Sequence, residues 1–152
     1  MTVREHTQEQ ATVDGFVRQP WNAIPVGQVM RGRVLTCRGE TSLRDLARMM
    51  VTHSIHAVVV VDGDARDHEY AVGIVTDQAV ALAGLEGRSA VASELADREA
   101  PTVLTSWSLD EAAREMLRTG SSHVVVIDGR GAPIGMLSTL DLARVTAWGH
   151  AS

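Results

Sequence analysis

Two stretches of this chain carry the same residues in the same order. Ser42-Leu43 matches Ser108-Leu109, Ala47 matches Ala113, Met50 matches Met116 and Asp62 matches Asp128, all at an offset of 66. Gly73 matches Gly135 at an offset of 62, so the first copy has four extra residues in a loop between two strands. Several independent positions in one register, with one change of loop length, mark a duplication. A unit of this size cannot bury a helix face and a three-stranded sheet alone. The copies are therefore expected to pack sheet to sheet about a pseudo-twofold axis, with helices outside and two equivalent clefts between the sheets.

Each copy reads strand–helix–strand–strand–helix, an α/β (α+β) pattern. In the first, 34–35 is a brief strand, and Thr41 or Ser42 caps a helix carrying Leu43, Leu46, Ala47, Met50 and Val51 on one face. The β-branched run 55–61 suits a strand covered on both faces. Asp62-Gly63-Asp64 is turn chemistry opening a polar connection to about His68. A second strand follows at 70–75, then Thr76-Asp77 as a helix start and a short helix over 79–85 that Gly87 ends. The second copy predicts strands at 102–104, 123–127 and 134–137, a helix capped by Ser106 or Ser108, and a last helix over 139–148. Short amphipathic turns at 26–30 and 91–95 lead into the two copies. The expected organisation is an N-terminal arm over 1–23, flexible or with a short helix around 12–17, then repeats over 24–88 and 89–152. Trp21 and Ile24 would pin the arm to the body.

Composition removes several function classes. Of 152 residues only 3% are aromatic, so no stacking platform for single-stranded nucleic acid is visible. A formal net charge of −5 argues against a phosphate-backbone binder. All 14 basic residues are Arg, which excludes a Schiff-base or P-loop lysine. Cys37 is alone, so there is neither a disulfide framework nor a cysteine zinc site, and a buried lone Cys serves as apolar filler. No apolar run reaches the ~18–20 residues of a membrane span, and the polar N-terminus lacks the apolar core of a signal peptide. A soluble cytoplasmic protein is expected, binding neither nucleic acid nor membrane.

The chemistry concentrates at Gly135-Met136-Leu137-Ser138-Thr139-Leu140-Asp141, where a strand turns into a helix. Ser138 and Asp141 suit helix capping. They equally suit a ligand, because a hydroxyl and free amides at a helix start favour phosphate, and a carboxylate one turn on favours a ribose diol.

The ordered set of features resembles the paired cystathionine beta-synthase (CBS) domains of a Bateman module. It comprises Thr41-Ser42-Leu43, the runs Val58-Val59-Val60-Val61-Asp62 and Val124-Val125-Val126-Ile127-Asp128, and the two turns Gly73-Ile74-Val75-Thr76-Asp77 and Gly135 to Asp141. The resemblance covers about 24–148. It implies an adenosine-containing ligand such as AMP, ADP or ATP, or S-adenosylmethionine, held in a cleft built from both copies. It also implies a homodimer paired through its helices. Ser138 would contact phosphate and Asp141 the ribose hydroxyls, with Met136 and Thr139 beside them. The facing wall would come from Leu35-Thr36 and Ile55-His56-Ala57, where Leu35 and Ile55 hold the base by apolar contact. The first copy departs from the pattern: counting from Gly73, Thr76 stands where Ser138 does, but Ala79 replaces the ribose carboxylate, and Asp77 comes two places early. A weaker second cleft is thus expected from Thr76 and Asp77 with Thr102, Ser122 and His123.

The histidines do not argue for a metal. A helix-to-strand change separates His53 from His56, and no carboxylate pair sits at ligand spacing nearby. Nor is there a catalytic Ser/His/Asp elbow, HExxH, GxGxxG or Walker loop. The chain reads as a stand-alone, non-enzymatic regulatory module. It would need no cofactor, take an adenine nucleotide as regulatory ligand and act in trans on an unidentified protein target. The competing reading is a structural homodimerisation module whose clefts are vestigial.

Overall fold

A computed structural model describes residues 20–64 and 68–149; the expected helix around 12–17 lies outside them. The first half runs β1 (Thr36–Arg38), α1 (Leu43–His53), β2 (Ala57–Asp64), β3 (His68–Thr76) and α2 (Asp77–Leu85). A one-turn helix, α3 (Ala92–Leu95), precedes the second half: β4 (Thr102–Leu104), α4 (Leu109–Thr119), β5 (His123–Ile127), β6 (Pro133–Ser138) and α5 (Thr139–Trp148). Each half forms a three-stranded sheet with its middle strand parallel to the first and antiparallel to the third.

The two valine runs explain the layering. In β2, Val58 and Val60 face one core with Leu46 and Met50 of α1. Their neighbours Ala57, Val59 and Val61 face another core, shared with Ile74 and with Val125 of the opposite sheet. Val124 and Val126 turn the other way, onto Leu109, Ala112 and Met116 of α4. An unbroken apolar strand is what alternation between two buried faces requires. At roughly 1.5–3 kcal/mol per fully buried aliphatic side chain, these strands anchor the fold.

Oxygen-bearing side chains start the four longer helices. Ser42, Thr76, Ser108 and Ser138 accept from the backbone N–H of Asp45, Ala79, Glu111 and Asp141, respectively. Of the paired alternatives Thr41/Ser42 and Ser106/Ser108, the second of each is the cap.

Two expectations need correction. Strand β1 is centred on Cys37 rather than on 34–35, because its side-by-side pairing aligns residues 36–38 with Val59–Val61; only the Leu35 carbonyl joins the ladder early, accepting from Val59 N–H at 3.1 Å. Asp62-Gly63-Asp64 is not the turn. The β2–β3 ladder slips register after Val60 and continues to an Asp64–His68 pair. Gly63 permits this with φ of +100°, in a place where a Cβ would collide with the His68 carbonyl.

The segments leading into the copies cross over. Ile24 and Val26 are buried in the second half's core beside Leu109. Val26 N–H donates to the Trp107 carbonyl at 2.8 Å, and Arg31 bridges to Met136 of β6. Reciprocally, Ala92 is buried in the first half's core, and Asp97 bridges to Ile74 of β3. Each sheet is thus edged by the segment preceding the other copy. This exchange brings Arg31 to the Ser138 turn.

Candidate functional site

A cleft of about 320 Å³ opens between the two halves. It is lined by eight of the nine residues expected there: Leu35, Ile55, His56 and Ala57 from the first copy, with Met136, Ser138, Thr139 and Asp141 from the second. Thr36 is not among the lining residues; its place in β1 pairs it with Val59 and leaves it exposed. The cleft also takes in Arg31, Arg33, Val34, Ser54 and Leu140, which the sequence reading did not select. Arg31-Gly32-Arg33 puts two cations just before the first strand, but nothing in the sequence says which cleft they line. Ser54 gave no sequence signal, since its importance is conformational. It closes α1 with φ of 52°, in the left-handed region that the second copy fills with Gly120.

Asp141 is the one buried charged side chain of the described residues, 5% exposed. Its Oδ2 accepts from Ser138 N–H at 2.9 Å and from the Ser138 hydroxyl at 3.0 Å. Its Oδ1 meets Arg144 Nη1 at 3.0 Å and Arg31 Nε at 3.5 Å. In return the Ser138 oxygen accepts from Asp141 N–H at 3.2 Å, completing a reciprocal cap. Capping is therefore realised, on the wall of the cleft. These four donors take up the carboxylate's lone-pair directions and hold it at a helix start, where the backbone dipoles favour an anion.

In the second group of residues, Asp77 lies near enough to His123 to act on its charge. Thr76 caps α2, and Asp77 turns its carboxylate to His56, with Oδ2 2.8 Å from Nδ1. Thr102 is exposed on β4, paired with Val125. His123 lines the first cleft as well: its partner across the sheet is Ser138, so it lies beside the α5 start. Ser122 presents its hydroxyl 2.9 Å from His123 Nδ1. His56 and His123 thus stand on one cleft, joined through Asp77 to the start of α2. Among the described residues, no group of three or more His, Cys, Asp or Glu is placed to hold a metal ion.

Burial pushes the His123 imidazole below its ordinary pKa; Asp77 opposes this, nearby His56 adds to it and Asp141 opposes it. The folded state therefore holds this ring neutral where the unfolded chain would protonate it. Stability should be fully present above the unfolded value of about 6.5 and decline as pH falls from there through the lower folded pKa. Urea midpoints on either side of this window should fall on acidification in the wild type and fall less in His123→Gln. Equal slopes in the two proteins would remove His123 as the cause. Burial likewise pushes the Cys37 thiol up, against a hydrogen bond from Thr41 that lowers it, which keeps the thiol protonated and unreactive.

The chain belongs to the CBS domain family: the family model matches it twice, at residues 26–86 and 92–147. Its fold is similar to that of a CBS domain pair solved in complex with 5′-methylthioadenosine and S-adenosyl-L-methionine. The TM-score is 0.73 at 23% identity, covering 81% of this chain and 95% of that one. It is also similar to a CBS domain protein from Pyrobaculum aerophilum complexed with AMP, with a TM-score of 0.70 at 21% identity over 78% of this chain and 90% of the other. An uncharacterised protein of Methanopyrus kandleri is 24% identical over 127 residues, 81% of this chain. The match spans 63% of that protein's length. The likeness to the solved pairs establishes the tandem CBS fold. No helix among the described residues is long and apolar enough to cross a membrane.

Proposed function

We propose that the chain is a cytoplasmic, non-enzymatic CBS-pair regulatory module that binds an AMP-, ADP- or ATP-like ligand in the cleft between its halves and signals by changing shape. One observation carries this reading: residues from two distant stretches, selected for adenosine chemistry, line one cleft. Leu35, Ile55, Ala57 and Met136 offer apolar walls for a base, and the α5 start offers the Thr139 hydroxyl and a carboxylate held by Ser138 and two half-exposed arginines. The adenosine-containing ligands of structurally similar CBS pairs support the same class. No catalytic cofactor is required by this set of side chains.

A ligand can shift a partner's equilibrium only through its differential affinity for two arrangements of the chain. The cleft meets that condition, because one wall belongs to each copy and a bound molecule would fix their spacing. The output would be read by a protein target in trans. Val51 and Leu117, pseudo-equivalent on α1 and α4, are 80% and 81% exposed. Leu85 and Trp148 on the last helices of the two halves are each 85% exposed. These faces suit a homodimer, and they also favour the second reading, an interaction module with vestigial clefts.

A thermal-shift panel of AMP, ADP, ATP and S-adenosylmethionine separates the two. At ~100-fold over the dissociation constant, a ligand adds about 2.7 kcal/mol. For a chain of this length that is roughly 5–10 °C in Tm. A selective shift supports the regulatory reading, and a flat panel up to millimolar concentrations overturns it in favour of the interaction module.

A further inference from the structure

A second cavity, of about 400 Å³, lies outside the cleft between the halves and shares no lining residue with it. It sits where the parallel strands β1 and β2 end, and takes in Ser93 and Arg98 of the segment that leads into the second copy. Val60, Val72 and Val91 supply apolar lining. Four charged side chains share that lining, the arginines Arg38 and Arg98 and the carboxylates Glu40 and Asp62. Arg38 is already engaged: its guanidinium donates to the Gly63 carbonyl at 2.6 Å and meets Glu69 at 3.4 Å and Asp62 at 3.9 Å. Glu40 and Arg98 are exposed, and among the described residues neither forms an ion pair. Nor does the fold ask for their charges. The bridge of Asp97 to Ile74 repeats that of Arg31 to Met136, so at the offset of 66 Arg98 corresponds to Gly32, and Glu40 to Ser106. The second half builds the same strands and helices without either charge.

We infer that this cavity is a second ligand site, for a small aliphatic α-amino acid, with Arg98 on its carboxylate, Glu40 on its ammonium group and the valines on its side chain. The inference is independent of the adenosine reading of the other cleft. A cation and an anion, both without an ion-pair partner, complement a molecule that carries both charges, and each supplies a charge-assisted hydrogen bond. A dicarboxylate would set one of its charges against Glu40, and a diamine would do the same to Arg98. Valine side chains give contact without hydrogen bonding, which favours an aliphatic group over a polar one. The volume is at the lower end of small-molecule sites, roughly 300–1,000 Å³. A bound amino acid would also tie the loop after β1 to the segment that edges β3.

Calorimetric titration of the full chain with L-valine tests this, alongside isovalerate and isobutylamine, which lack its amino and its carboxylate group respectively. One L-valine per chain is expected, bound about tenfold more tightly than either analogue, the effect of one charge-assisted contact at an exposed rim. Arg98→Gln should no longer distinguish valine from isobutylamine while still preferring valine to isovalerate. Glu40→Gln should show the converse. Arg44→Gln, which changes an exposed arginine on α1 outside the lining, should bind valine as the wild type does. L-alanine and L-leucine, titrated in the same way, report how large a side chain the valines accept. Failure of all three amino acids to bind at millimolar concentration would overturn the site. Analogues as tight as valine, or undiminished discrimination in both Arg98→Gln and Glu40→Gln, would overturn the assignment of the two charges. Displacement of valine by AMP would put the amino acid in the cleft between the halves and likewise overturn a second site.

Discussion

Asp141→Ala is expected to lower stability by about 1–3 kcal/mol and to abolish stabilisation by any adenosine-containing ligand. The stability loss follows from the contacts removed. Ser138 N–H and hydroxyl lose their acceptor, and Arg31 and Arg144 lose their carboxylate. The arginines are 55% and 50% exposed, so water takes over much of their solvation and the cost stays below that of breaking a fully buried pair. The ligand effect has a different origin: ribose hydroxyls need acceptors, and Ala offers none. Ser138→Ala separates the two effects. It removes the cap oxygen, at about 1 kcal/mol, while keeping the carboxylate. Denaturant midpoints measured with and without AMP should show a reduced ligand increment in Ser138→Ala and none in Asp141→Ala. An increment in Asp141→Ala equal to that of the wild type would leave the carboxylate with a purely capping role.

Why the sequence revealed so much of this chain is visible in particular residues. The valine runs suit strands covered on both faces, and the helix starts at Thr76 and Ser138 were legible outright, while Thr41/Ser42 and Ser106/Ser108 were legible to within two residues. These are local signals repeated in register, and repetition turned each into two observations. The crossover of the leading segments was not legible, because nothing in the run from Ile24 to Arg31 says which sheet it will edge. That choice is made by tertiary packing, with Ile24 and Val26 buried beside Leu109 rather than beside Leu43. Missing it meant missing Arg31 and Arg33 as cleft residues, since in sequence they precede the first copy and in space they serve the second. That His123 also lines the Ser138 cleft was not legible for a related reason. The strand it heads runs beside β6, which pairs it with Ser138 in its own copy, while Asp77 beside Thr76 also acts on it. The β2–β3 turn was misplaced because a register slip after Val60 carries Asp62 and Gly63 into the ladder, against their ordinary turn preference.

Gly73→Ala should cost more than Gly135→Ala, although the two glycines are the same motif position in the two copies. Both lie under the crossing segment that edges their sheet. A Cβ at Gly73 would stand 2.8 Å from the Asp97 carbonyl oxygen and 3.1 Å from Ala96 Cβ. Neither atom can rotate away, because Asp97 is fixed by paired hydrogen bonds to Ile74 at 2.8 and 3.1 Å. The segment itself must lift, and overpacking of this kind costs about 1–3 kcal/mol. A Cβ at Gly135 meets Met30 Sδ first, the far end of a flexible side chain that can turn aside, and then the Arg31 carbonyl at 3.0 Å. Gly135→Ala is therefore expected at the low end of that range, with a functional penalty out of proportion to it. The displaced segment carries Arg31 and Arg33, so AMP should bind more weakly even where the fold survives. Gly73→Ala should show the reverse: a larger drop in the urea midpoint and, in the folded protein, near-normal AMP affinity. Equal ligand loss in both variants would mean that the two crossing segments serve the cleft alike, contrary to the exchange of Arg31 for Asp97 between them.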